Sequence, residues 1–200
     1  GYKANRKGMP DELACQMPII KEILRAMKID IVEKQGYEGD DILGTLSVYG
    51  EKQGLDVTIL SGDRDTFQLA TDKVTIRIPR TKMGKTEVED FNKAKVEEIY
   101  NLEPKQLIEV KGLQGDTSDN IPGVPGIGEK TALKLLRKYG TLDGIYEHID
   151  EIKGSVHDKL VQDKEHAYQS YHLATIVKNV DMEISIEDTK CRERDHENLE

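Results

Sequence analysis

The sequence predicts an α/β fold, a parallel sheet followed by a helical subdomain, and three observations predict it. Short apolar runs alternate with helical patterns as far as Ile78, in the order strand–helix–strand–helix–strand. That order belongs to a parallel sheet with right-handed crossovers. From Phe91 onward the pattern turns almost wholly helical. The chain, at 200 residues, is also long enough to bury a core without disulfides or a structural metal.

Each element has its own signal. Pro10-Asp11-Glu12 is a helix start, with proline and acids in the first turn. Leu13, Met17, Ile20, Leu24 and Met27 then recur at helical spacing and give one helix an apolar face. Ile29 to Val32 is a short apolar run that reads as a strand. Asp40 to Gln53 reads as a helix, with Ile42, Leu43, Leu46 and Tyr49 inward and Gly54 as its stop. Val57 to Leu60 is a second strand, Asp63 to Ala70 a short helix, and Val74 to Ile78 a third strand. Helices follow at 93–100, 104–112, 129–139, 142–150 and 158–173, and Val180 to Ile186 reads as a last strand. This organisation divides the chain into an α/β core at 1–103, a helical subdomain at 104–186 and a polar tail or linker at 187–200.

Composition narrows the class. Charged residues make up 34% of the chain, against roughly 25% in an average domain. No apolar run approaches the roughly 20 residues of a transmembrane helix, and Gly1 to Pro10 is polar and basic, unlike a signal peptide. The two isolated cysteines, Cys15 and Cys191, make neither a disulfide framework nor a zinc site. Membrane, collagen, coiled-coil and secreted mini-protein classes are excluded, and a cytoplasmic setting fits. The net charge of -9 is unevenly spread, because residues 36–72 hold 8 acidic and 2 basic groups. Such a block either repels polyanions or holds cations that attract them.

The positions of the acids favour cations. Glu38, Asp40 and Asp41 follow the first predicted strand, and Asp63 and Asp65 follow the second. Open parallel sheets bind ligands outside the carboxyl ends of their strands. Carboxylates so gathered repel unless cations lie between them, and oxygen donors without His or Cys select Mg²⁺ or Mn²⁺. Gly39 and Gly62 are read as tight-turn residues. Helix capping by Asp40 and Asp63 explains one acid per helix but not Glu38, Asp41 and Asp65 as well. Asp116 and Asp119, in Gly115-Asp116-Thr117-Ser118-Asp119-Asn120, taken alone read as an Asx-turn or helix cap.

Ile121-Pro122-Gly123-Val124-Pro125-Gly126-Ile127-Gly128 runs into the helix that begins Glu129-Lys130-Thr131-Ala132. Glycines let backbone amides approach a phosphate, and a helix N-terminus adds free N–H donors. Lys130 and Lys134 are placed to hold a nucleic-acid backbone without reading its sequence. The alternative is a rigid interhelical turn with solvated lysines. The basic stretch Arg77, Arg80, Lys82 and Lys85 reads as a solvated loop, and the five histidines carry no ligand pattern.

Four strings, taken together, resemble the 5′ nuclease (flap endonuclease) family, most closely its branch of 5′→3′ exonuclease domains in bacterial DNA polymerase I. They are Tyr-Lys-Ala-Asn-Arg at 2–6, Gly-Tyr-Glu-Gly-Asp-Asp at 36–41, Ser-Gly-Asp-Arg-Asp at 61–65 and Gly-Asp-Thr-Ser-Asp-Asn-Ile-Pro-Gly-Val-Pro-Gly-Ile-Gly at 115–128. The resemblance spans about residues 2–150 and implies a metal-dependent flap endonuclease and 5′→3′ exonuclease. It implies that Glu38, Asp40 and Asp41 hold one metal cluster, and that Asp63, Asp65, Asp116 and Asp119 complete a second. It implies two Mg²⁺ (or Mn²⁺) ions, and K⁺ at a helix-hairpin-helix element whose Gly123, Gly126, Gly128, Lys130, Thr131 and Lys134 grip duplex DNA. By the same resemblance Lys3 and Arg6 contact the scissile phosphate. Tyr2 is read equally as a base-stacking residue and as packing. Implied partners are duplex or branched DNA with a 5′ end or flap, polymerase domains on the same chain, and no membrane; the implied location is the cytoplasmic nucleoid. The family opens with a strand bearing a metal-binding Asp that precedes these motifs, and Gly39 is commonly alanine there. The expectation is therefore an N-terminally truncated core with reduced cleavage, or a catalytically incomplete DNA-binding fragment.

Overall fold

The computed structural model describes residues 2–4, 7–82 and 84–195. Where one amphipathic helix is expected after Pro10, the chain makes two, α1 (Asp11–Ala14) and α2 (Met17–Ala26). Pro18, in the first turn of α2, lacks an N–H and would clash with the carbonyl of Ala14, which ends α1. The apolar face exists but buries nothing completely; Leu13, Ile20 and Ile23 are exposed.

Helix α3 (Gly39–Lys52) leads to β1 (Val57–Leu60), a 3₁₀ turn at Arg64–Leu69 and β2 (Val74–Lys82). β1 and β2 pair in parallel, with Val57 opposite Val74 and Leu60 opposite Arg77. The hairpin-like basic stretch is a hairpin of β2 with antiparallel β3 (Lys85–Phe91), turning at Gly84, and β3 is a strand that was not expected. Only Phe91 of β3 is buried, so the strand lacks the apolar alternation by which strands are recognised. Its place is held by the ladder and by cross-strand charges: Arg77 grips Asp90 through two 2.7 Å bonds, and Arg80 pairs with Glu89 at 3.3 Å.

Two expected strands do not form. Ile29–Val32 has no regular structure; Ile29, Asp30 and Val32 line, together with Val57 and Thr58, a groove of about 530 Å³ instead of pairing with β1. Residues 180–185 also lack regular structure, and Ile186 opens a 3₁₀ turn (Ile186–Thr189). The amide of Val180 bonds to Thr45 Oγ1 at 3.1 Å, so this segment packs along α3 through side chains and joins no ladder. The sheet of the described residues thus has three strands in the order β1–β2–β3.

The helical part comprises α4 (Lys93–Tyr100), α5 (Leu107–Gln114), α6 (Glu129–Tyr139), α7 (Leu142–Glu147), α8 (Ser155–Gln162) and α9 (Lys164–Ala174). The single helix expected over 158–173 is broken at Asp163, which caps both α8 and α9 in a non-helical conformation. Two cores result. Ile59, Phe67, Val74, Ile76, Phe91 and Val96 fill the one under the sheet. Leu113, Val124, Leu136, Ile145 and Leu160 fill the one among the helices. Tyr100 and Leu107 pack against both and join them. No helix of the described residues is long and apolar enough to cross a membrane.

Candidate active site and nucleic-acid interface

The exit of β1 aims the first acids. Ser61 Oγ accepts the Asp63 amide at 3.0 Å, and Asp63 caps the following 3₁₀ turn by accepting the Asp65 amide at 2.9 Å. Thr66 Oγ1 donates to the Asp63 carbonyl at 2.6 Å and locks the turn. Neither Gly39 nor Gly62 has a positive φ, and a Cβ on either meets nothing within 4 Å, so the expected need for glycine there is corrected.

The start of α3 supplies the next acids. Its N-cap is Glu38, not Asp40, and Asp41 accepts the Glu38 amide at 3.0 Å in a capping box. The other oxygen of Asp41 accepts the Val177 amide at 2.8 Å. Asp41 therefore fixes the chain around the site with both oxygens, while Glu38 and Asp40 project from it. Lys3 bonds to the Glu38 carboxylate, and its ammonium lies 4.0 Å from Asp119 and 5.0 Å from the Tyr2 ring centre. Arg6 lies outside the described residues.

Asp116 shows the Asx geometry read from the residues alone, accepting the amide and hydroxyl of Ser118 at 2.8 and 2.6 Å. Its second oxygen bonds to Lys111, which also pairs with Asp65 at 2.9 Å. Lys111 was not foreseen. Its only signal is a lone cation in α5, a helix whose other faces are mostly buried.

A cavity of about 550 Å³ is lined by Glu38, Asp40, Asp41, Asp63, Asp65 and Asp119, together with Tyr2, Lys3 and the stretch from His172 to Val177. Asp116 does not line it and joins through Lys111 and Asp65. Among the described residues no three of these acids stand close enough to hold one ion as they are, and lysine ammonium groups lie between them. The electrostatics are those of an acid-rich pocket. Burial and then the neighbouring Asp63 and Glu38 push the Asp40 carboxyl up. Burial does the same to Asp65 despite Lys111. Burial would also raise Asp116, but Lys111 and Ser118 hold it down to about 2. Burial opposes charge on Lys111 and Lys3 as well, yet their acidic partners raise both above the ordinary lysine value.

The glycine hairpin is pinned from three helices. The Val124 amide donates to the Leu113 carbonyl of α5 at 2.7 Å, and the Gly123 amide to the buried Ser170 hydroxyl of α9 at 2.8 Å. Lys159 of α8 donates to the Gly126 carbonyl at 3.2 Å. A Cβ on Gly123, at φ +60°, would fall 2.2 Å from the Gly115 amide nitrogen, so only glycine fits. Gly128 caps α6 with no side chain over the first-turn amides, and Lys130 and Lys134 are exposed beside it, with Thr131 half-buried. Ser170 and Lys159 lie more than thirty residues from the turn they hold, and no local pattern marks them.

Two family models match this chain end to end: "5′-3′ exonuclease, N-terminal resolvase-like domain" over residues 1–101 and "5′-3′ exonuclease, C-terminal SAM fold" over 102–197. The chain belongs to the 5′-3′ exonuclease family. Similar members include DNA polymerase I of Bacillus caldotenax, 46% identical over 199 residues, 99% of this chain and 22% of the relative. DNA polymerase I of Bacillus subtilis (strain 168) is 48% identical over 186 residues, 92% of this chain and 21% of the relative. This exonuclease-family chain thus spans about a fifth of the length of such relatives. The fold is that of T5 5′-exonuclease with zinc bound, at TM-score 0.67, 24% identity, 88% of this chain and 67% of that one. It is also that of the T5 D15 flap endonuclease in a complex with DNA and metal ions, at TM-score 0.68, 23% identity and the same coverage.

Proposed function

We propose that this chain is a divalent-metal-dependent 5′→3′ exonuclease and 5′-flap endonuclease, hydrolysing DNA phosphodiester bonds beside polymerase domains of the same protein. One observation carries the reading: six carboxylates from three distant chain segments line one cavity, next to a pinned glycine hairpin. The donor set is all oxygen, and the lysines drawn among it support a pocket that takes positive charge. Glu38, Asp40 and Asp41 would hold one Mg²⁺ or Mn²⁺, and Asp63, Asp65, Asp116 and Asp119 a second. Such a pair of ions supplies Lewis acidity and activates water for hydrolysis. Lys3, already at the cavity, neutralises charge on the scissile phosphate, and Tyr2 stacks on a base at the same cavity. The amides around Gly126 and Gly128, with Lys130, Thr131 and Lys134, hold the duplex backbone irrespective of sequence. The substrate is nucleoid DNA in the cytoplasm.

A second reading, a DNA-binding chain without cleavage of its own, is favoured by one observation: no three described acids converge on a common point. A labelled 5′-flap duplex separates the two. Cleavage in Mg²⁺ that stops in EDTA and falls at least about 100-fold in Asp63→Ala supports the nuclease. Tight, salt-sensitive binding with no cleavage in Mg²⁺ supports the second reading.

A further inference from the structure

The helix-hairpin-helix resemblance implies a monovalent cation on the hairpin carbonyls, and the side chains around the turn speak against it. Gly126, at φ +80°, is exposed, and Lys159 donates to its carbonyl oxygen at 3.2 Å. The end of the lysine lies across the turn: a Cβ on Gly126 would meet its Nζ at 2.6 Å and its Cε at 3.0 Å. Both sides of this contact are anchored in one core. The next residue, Leu160, is fully buried among the helices, as are Val124 and Ile127 of the hairpin. Tyr146 further fixes α8 by donating to the Leu160 carbonyl at 3.1 Å. A lysine ammonium is a compact single positive charge with three donors. On a carbonyl oxygen it does what K⁺ does there, replacing water with a cation–dipole contact. Two such cations at one carbonyl repel each other.

We infer that Lys159 is the resident cation of the hairpin, so that this chain grips duplex DNA without needing potassium. The tethered charge has two consequences. It satisfies the Gly126 carbonyl, and it adds a positive charge beside the helix terminus proposed to meet the DNA backbone. No entropy is lost in recruiting a free ion, because the lysine is carried by a helix already packed in place.

This inference rests on the hairpin's proposed role in DNA binding. The test is the affinity of the chain for a 5′-flap duplex by fluorescence anisotropy, in EDTA and at constant ionic strength. One arm uses KCl and the other tetramethylammonium chloride, whose cation is too bulky for the carbonyls. The wild-type chain is expected to bind equally in both. Lys159→Met is expected to bind about tenfold more weakly in tetramethylammonium chloride, the scale of one charge-assisted hydrogen bond, and to recover in KCl. Lys153→Met, which removes an exposed lysine of the same subdomain, is expected to weaken binding equally in both salts. Wild-type binding that needs KCl overturns the inference and requires no variant, so it stands apart from any folding defect. Indifference of a folded Lys159→Met to the salt overturns it too. Absence of duplex binding by the wild-type chain in either salt removes the hairpin reading itself.

Discussion

The cavity has two lysines drawn to its acids, and they differ in what holds them. Lys3 and Lys111 have the same side-chain exposure, 22%, and each sits among carboxylates of distant segments. Lys111 stands in the middle of α5, whose next residues, Gly112 and Leu113, are buried. It pairs Asp65, beside the sheet core, with Asp116, beside the helical core. Lys3 stands in the segment 2–4 before the exposed helices α1 and α2, in a left-handed conformation at φ 53°. Its amide is held by the Asp119 carbonyl at 2.8 Å. One cation is built into the fold and the other is laid across it. The same chemistry therefore serves cohesion at Lys111, and under the proposed function it serves the substrate at Lys3.

The largest expected effect breaks the comparison from the Lys3 side. Lys3→Met should lower flap cleavage by about 100-fold or more, the scale of one lost transition-state donor, while the thermal midpoint hardly moves. Steady-state cleavage alongside a melting curve checks both halves. A large fall in the midpoint would place Lys3 in the fold with Lys111. Next comes Lys111→Met, which should cost about 1–3 kcal/mol of stability by leaving two part-buried acids without their shared donor. Urea unfolding reads this directly, and an unchanged midpoint would mean that Lys111 does not join the two cores. The smallest effect sharpens the same point through pH. Asp116 is held down to about 2 in the folded chain. A lowered carboxyl stabilises fully above its ordinary value of about 4 and loses that contribution as pH falls toward 2. Stability should therefore decline across that window, and decline less steeply in Lys111→Met; parallel acid curves for the two proteins would break the assignment.

The acids and the hairpin were legible because each is a local string placed at the end of an element. Asp63 and Asp65 do follow β1, and Gly123 is glycine for a steric reason. What escaped the sequence was set by partners far along the chain. Periodicity predicts which side of α2 is apolar, but not that nothing buries that side. The apolar runs at 29–32 and 180–186 have strand composition, yet the Ile29 amide bonds to the Leu24 carbonyl, the Val180 amide bonds to Thr45 Oγ1, and neither run joins a ladder. β3 forms although it is nearly all polar, because Arg77 and Arg80 meet acids across the hairpin. Lys111, Lys159 and Ser170 are ordinary residues in ordinary helices until the fold brings a carboxylate or a turn to them. The bracing role of Asp41 was not readable either, since the two backbone amides that its oxygens accept include one from Val177, far along the chain.

Helix α9 touches both halves of the proposed machinery. At Ser170 it holds the hairpin, and past its end Gln68 brackets the chain, donating to the Ala174 carbonyl and accepting the Ile176 amide, each at 3.0 Å. One residue later Val177 reaches Asp41 at the acid cavity. Fewer than ten residues thus run from the proposed grip on the duplex to the proposed place of scission. On the proposed function a span so short and so firmly tied at both ends would work as a ruler: the offset between held and severed phosphates would be a length written in protein, indifferent to the bases in between.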